Sequence, residues 1–216
     1  MATFYLLLYL KLCAYPTPTN PGRLKLDGTI YIGSNYFEGI DTIIPIGRDG
    51  NLEKNHFIID HKHLQGYYEK SIPLNFKQWD EYKNITFSWW EFKIKDYKLA
   101  CDLFKFLALN SDVEFSLIVY RAIIIIYTAH NPTKVAGIGN FVDYMSSRSC
   151  SINEIIELWH SHTTAKCCEL NNFDKDFMFN YYMRNPKIRH YILYRMPDGE
   201  NLGCQIQNYQ IYDFWP

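Results

Sequence analysis

His160 and His162 stand two residues apart, directly after the apolar run Ile155 to Trp159. On a strand, a spacing of two puts both imidazoles on the same side, which is what chelating one ion requires. Asp174 opens the next helical stretch, where it can swing back over the strand end as a third ligand. Two histidines and one carboxylate leave a fourth tetrahedral position to water, as in catalytic rather than structural zinc sites. Zinc lowers the pKa of such a water toward ~7, and a neighbouring carboxylate can take its proton. The expected cofactor is therefore Zn2+, held by His160, His162 and Asp174.

These residues need elements to position them. From Asp96 to Asn110, apolar residues recur at Leu99, Leu103, Phe106 and Leu107, flanked by Ala100 and Phe104. That stripe predicts a helix opened by an aspartate. Two strand-like runs follow, Val113 to Tyr120 and Ala122 to Thr128, and the four isoleucines Ile123 to Ile126 imply a strand buried on both faces. A long connection, 134–151, leads to the strand that ends in the histidines. A polar loop from Thr163 to Asn172 precedes a helix from about Phe173 to Met183, which stops before Pro186 as helices do. Ile188–Arg195 and Cys204–Phe214, either side of the turn Pro197-Asp198-Gly199, read as a terminal hairpin. The expected fold is α/β (α+β), a central mixed β-sheet flanked by helices, over residues 96–216. Residues 1–95 read as a β-rich N-terminal region, with turns at Asp27-Gly28 and Asp49-Gly50 and an aromatic strand from Ile85 to Ile94.

The order helix, strand, His-x-His at a later strand end and an acid opening a helix resembles the JAMM (JAB/MPN) metalloproteases over residues 96–214. The family pattern is a Glu, then H-x-H, seven residues, Ser, two residues and Asp. By this resemblance, Glu114 falls where the family keeps its general base, and His160, His162 and Asp174 fall on the zinc ligands. Asn171 takes the place of the serine that stabilises the oxyanion, and an amide N–H can donate to a developing negative charge. Eleven residues (163–173) separate His162 from Asp174, one more than the pattern, and Asp176 is an alternative acid. The resemblance implies a zinc metalloprotease or isopeptidase acting on a protein substrate, often at the C-terminus of ubiquitin or a ubiquitin-like protein. Such domains also occur as toxin cargo and in phage proteins. The alternative is a catalytically silent MPN-type interaction scaffold, motivated by the altered loop.

Plainer readings compete with each residue. Alone, Glu114 is an ordinary strand-edge carboxylate, and Asp174 is an acid favoured by a helix dipole. Asn171 alone is a loop residue beside a helix cap. A second H-x-H, His61-Lys62-His63, has Asp60, His56 and Glu69 nearby but no later acid or helix to complete it, so a solvated turn is the expectation. Net charge is −1, which gives no pull toward nucleic acid or an anionic membrane. The same neutrality counts against a nuclease. The six cysteines contain no C-x-x-C pair and read as reduced thiols. The apolar stretch Phe4 to Leu10 is too short to span a bilayer, which takes about 20 residues, and lacks the basic flank of a signal peptide. A cytoplasmic protein, or an effector exported without such a signal, is expected.

Overall fold

The computed structural model describes residues 29–35, 40–46, 56–60, 62–78, 81–129, 142, 145–146, 150–162, 172–195 and 202–207. Two sheets carry the strands. The smaller is antiparallel and ordered β1 (Thr29–Asn35), β2 (Ile40–Ile46) and β3 (Phe57–Asp60). The larger has seven strands: β4 (Leu64–Gln78), β5 (Glu81–Ile94), β6 (Ser116–Tyr120), β7 (Ile124–Thr128), β8 (Ile155–His162), β9 (Arg189–Arg195) and β10 (Leu202–Gln207). Their spatial order is β10-β9-β8-β6-β7-β5-β4. All neighbours are antiparallel except β8 and β9. A parallel pair needs a crossover, and helix α2 (Asn172–Arg184) lies in the connection between them. The mixed sheet flanked by helices agrees with the sequence reading. The sheet also runs across residue 95, because β5 pairs with β7 from Trp90 to Ile94.

Helix α1 (Tyr97–Asn110) forms where the periodicity places it. The Asp96 carboxylate accepts from the Leu99 amide at 2.7 Å, satisfying one of the unpaired donors of the first turn. Ala100, Leu103, Phe104, Leu107 and Ala108 are its buried residues, a stripe at i, i+3, i+4, i+7 and i+8. Leu99 and Phe106 flank that stripe and are only partly buried. The face buries against Phe92, Ile94, Leu117, Val119, Ile124 and Ile126, with Ile43 and Ile59 of the small sheet joining the same core.

The opposite face of the large sheet carries a second core. Ile118, Tyr120, Ile125, Tyr127 and Leu158 pack there with Tyr181 of α2 and with Val142 and Met145. Successive residues of β6 and β7 therefore alternate between two apolar layers, and every residue of both strands is buried. The isoleucine run reflects that double burial. Strand β8 is entered through a single 3-10 turn, Ile152–Glu154, closed by a reciprocal capping box between Ser151 and Glu154. Buried Asn185 ends α2 and donates to the carbonyls of Ile152 and Ile155, tying the helix end to the start of β8.

Replacing Asp96 with alanine removes the α1 cap and should lower stability by about 1 kcal/mol. Urea denaturation monitored by circular dichroism measures this. An unchanged midpoint would mean that the cap carries no weight.

Candidate metal centre

β8 runs three residues further than its apolar run, so both histidines lie on the strand itself. His160 pairs with Ser116 of β6 on one side and Ile192 of β9 on the other, and His162 pairs with Tyr194. The two-residue period puts both on the face of Leu158, which α2 covers. Their rings approach closely: Nε2 of His160 lies 2.9 Å from Nε2 of His162. Both side chains are buried.

Asp174 sits in the first turn of α2. Met178 and Tyr181, four and seven residues on, are the buried residues of the same helix face, so the packing of α2 on the sheet turns Asp174 inward as well. Lys175 and Asp176 are exposed. The choice between Asp174 and Asp176, open in the sequence, is thus made by the helix face. The Asp174 carboxylate oxygens lie 3.6 Å from His160 Nε2 and 3.7 Å from His162 Nε2. These separations exceed hydrogen-bond length. They are close to the edge of a tetrahedron, because N and O ligands about 2.0–2.1 Å from zinc sit roughly 3.3 Å apart. The three donors therefore fit a single metal ion. His160, His162 and Asp174 form the one such group of metal-ligating side chains among the described residues.

Glu114 lies two positions before β6, which begins at Ser116 rather than at Val113 as the sequence suggests. It is nonetheless buried. Burial pushes its carboxyl up to about 8, and the neighbouring Asp174 carboxylate adds to the shift. The segment is held by side chains as well as by backbone. The Phe115 amide donates to Ser161 Oγ at 2.8 Å, and the Ser161 amide donates to the Phe115 carbonyl at 2.9 Å. The Thr128 hydroxyl donates to the Glu114 carbonyl at 2.8 Å. Ser116 closes the set, donating to the Trp159 carbonyl at 2.6 Å.

Burial also disfavours the imidazolium of His160, whose pKa falls to about 3, with His162 and then His190 adding to the effect. His190, pushed down to about 4 by burial, pairs in register with Leu158 and so shares the face of the two histidines. A neutral imidazole keeps a ring nitrogen lone pair for a metal. Below the site, Glu157 anchors β8 on the other face of the sheet. It accepts from the Tyr97 hydroxyl at 2.8 Å and the Trp159 indole at 2.9 Å, and it pairs with Arg189.

The structure brings Glu114, His160, His162 and Asp174 to one strand end, while Asn171 lies outside the described residues. Sequence reasoning missed Ser161, Thr128 and His190. Ser161 could have been flagged by its place between the histidines; nothing in the sequence marks the other two. The second H-x-H forms no metal group among the described residues. Asp60 instead accepts from the Lys62 amide at 3.0 Å and pairs with the exposed Lys62 ammonium at 2.8 Å, in a solvated turn. His61 lies outside the described residues.

A mixed sheet between helices, with paired histidines ending a strand and an acid opening the next helix, is consistent with a JAB/MPN-like fold, and its side-chain cluster could hold a metal ion. Residues 92–179 match the model of a family described as JAB-like toxin 1, a span that contains Glu114, His160, His162 and Asp174. This part of the chain therefore falls with the divergent JAB/MPN-like families. No curated protein and no solved structure matches the chain significantly. No helix among the described residues is long and apolar enough to cross a membrane.

Two measurements test the cluster. The protein should bind one divalent ion per chain, and the His160→Ala/His162→Ala double variant should lose it, as read by elemental analysis. In metal-free protein, Glu114 is protonated in both states below its ordinary value of 4.5. As pH rises toward about 8, the unfolded chain releases this proton while the folded chain retains it, so stability falls across that window. Relative to Glu114→Gln, the wild type should lose stability between pH 4.5 and 8 in denaturation curves. Parallel curves would place Glu114 in water.

Proposed function

We propose that the chain is a zinc-dependent metallohydrolase that cleaves peptide or isopeptide bonds of a protein substrate and acts as a toxin-type effector. The observation that carries this reading is the group of buried His160 and His162 with half-buried Asp174 at metal-ligand separations, with the buried carboxyl of Glu114 beside it. Two imidazoles and a carboxylate suit zinc among the common divalent ions. Held by three protein ligands, zinc supplies a Lewis acid and an acidified water at its open position.

The residues then have separate tasks. His160 and His162 are held at fixed separation by β8 and its two neighbours, so the ligand set is pre-organised rather than assembled on binding. Asp174 closes the set from α2. Glu114, buried beside the cluster, is the general base: it takes a proton from the attacking water and passes it to the leaving amine. Asn171 completes the set as the donor to the developing oxyanion. The substrate class follows from the resemblance to JAMM enzymes, and the C-terminus of a ubiquitin-like protein is the first substrate to try. The toxin role rests on the family match. Nucleic acid and membrane are not proposed as partners, in keeping with a net charge of −1. The proposed place of action is the cytoplasm.

The test is zinc content together with cleavage of ubiquitin-like conjugates and unstructured peptides. Wild type should carry about one zinc per chain and cleave. Glu114→Gln should keep its zinc and lose about 100-fold to 10,000-fold in kcat. Protein that purifies without metal from zinc-supplemented buffer would sink the enzyme and leave an interaction scaffold.

A further inference from the structure

The regular ladder around β6 stops short of Glu114. Its last registered pairs at this end are Ser116 with Tyr127 of β7 and Ser116 with His160 of β8. Glu114 and Phe115 continue beyond that end, and the peptide unit joining them is gripped from two sides. Its carbonyl, on Glu114, accepts from the Thr128 hydroxyl. Its N–H, on Phe115, donates to the Ser161 hydroxyl. A peptide unit is planar, so two anchors at opposite edges fix its plane. That plane contains the Glu114 Cα, so the point from which the Glu114 side chain leaves the backbone is fixed as well.

The anchors come from different strands. Ser161 lies between His160 and His162 and ties the plane to the strand that carries the metal-ligating pair. Thr128 is the last residue of β7, fully buried, and touches neither the cluster nor Glu114's carboxyl through the bond it makes. We propose that Thr128 is a positioning residue for Glu114: its hydroxyl sets the Glu114–Phe115 peptide plane and so the reach of the base toward the cluster. The claim rests on the metallohydrolase reading for its effect on catalysis, and on the two hydroxyl anchors alone for its effect on the backbone. Displacements of about 1 Å can cost as much as 100-fold in rate, and loss of groups that orient first-shell residues typically costs about 10-fold to 100-fold.

Thr128→Val removes the hydroxyl and keeps the branched shape; Thr128→Ser keeps the hydroxyl. Each is compared with wild type for metal content, for kcat and KM on the conjugate or peptide that wild type cleaves, and for amide hydrogen exchange at Phe115 by NMR. The expected result for Thr128→Val is unchanged metal and KM, kcat lower by about 10-fold to 100-fold, and faster exchange at Phe115. Thr128→Ser should restore both kcat and protection, which a general loss of packing would not do. Should Thr128→Val fail to fold, Thr128→Ala provides the same comparison. Wild-type kcat and protection in the variant without the hydroxyl would overturn the proposal, as would an equal loss in Thr128→Ser. A wild type that holds metal but cleaves nothing defeats the hydrolase reading, and the exchange at Phe115 then decides the role of Thr128.

Discussion

Two buried imidazoles, the buried carboxyl of Glu114 and the half-buried carboxylate of Asp174 meet at one end of β8, and most of the surrounding structure exists to hold them there. Removing such groups from water is costly unless each finds a partner. Here the burial pushes the Glu114 carboxyl up and the His160 imidazole down, so both favour the neutral form in the absence of an ion. A divalent cation among His160, His162 and Asp174 would favour the charged form of the Glu114 carboxyl, because it brings positive charge close to it. The cluster is electrostatically poised for a cation, which is why its geometry and its titration behaviour point the same way.

The sheet makes that arrangement possible. β6 and β7 are apolar on both faces and bury two separate cores, leaving β8 beside them as a rigid platform. The parallel pairing of β8 with β9 demands a crossover, and the crossover supplies α2. Ligand sites in mixed sheets tend to form outside the carboxyl ends of parallel strands, and His162 is the last residue of β8. Glu114 reaches the same spot from the opposite direction, at the start of the antiparallel neighbour β6.

The extra residue between His162 and Asp174 matters less than its effect on spacing suggests. Asp174 is placed by the face of α2 that packs on the sheet, where Met178 and Tyr181 are buried. A loop can absorb one added residue at small entropic cost, whereas rotating the helix by the two positions that separate Asp176 from Asp174 would expose that apolar face. Helix packing, rather than loop length, selects the acid.

By itself the sequence determined the elements and the ligand types. The apolar stripe behind Asp96 specified α1, the isoleucine run specified a strand buried on both sides, and the His-x-His at the end of an apolar run specified two imidazoles on one face. Each is a local pattern, written in the 3.6- or 2-residue period of the element that carries it. Tertiary structure alone decided that Glu114, 46 residues before His160, sits buried beside Asp174, and that Asp174 and not Asp176 faces the two histidines. It also decided that a threonine ending β7 and a serine between the histidines grip the peptide that carries Glu114. These features depend on which strands become neighbours and on how far each is shifted along the next, and pairing of that kind between distant segments leaves no periodic trace in the chain.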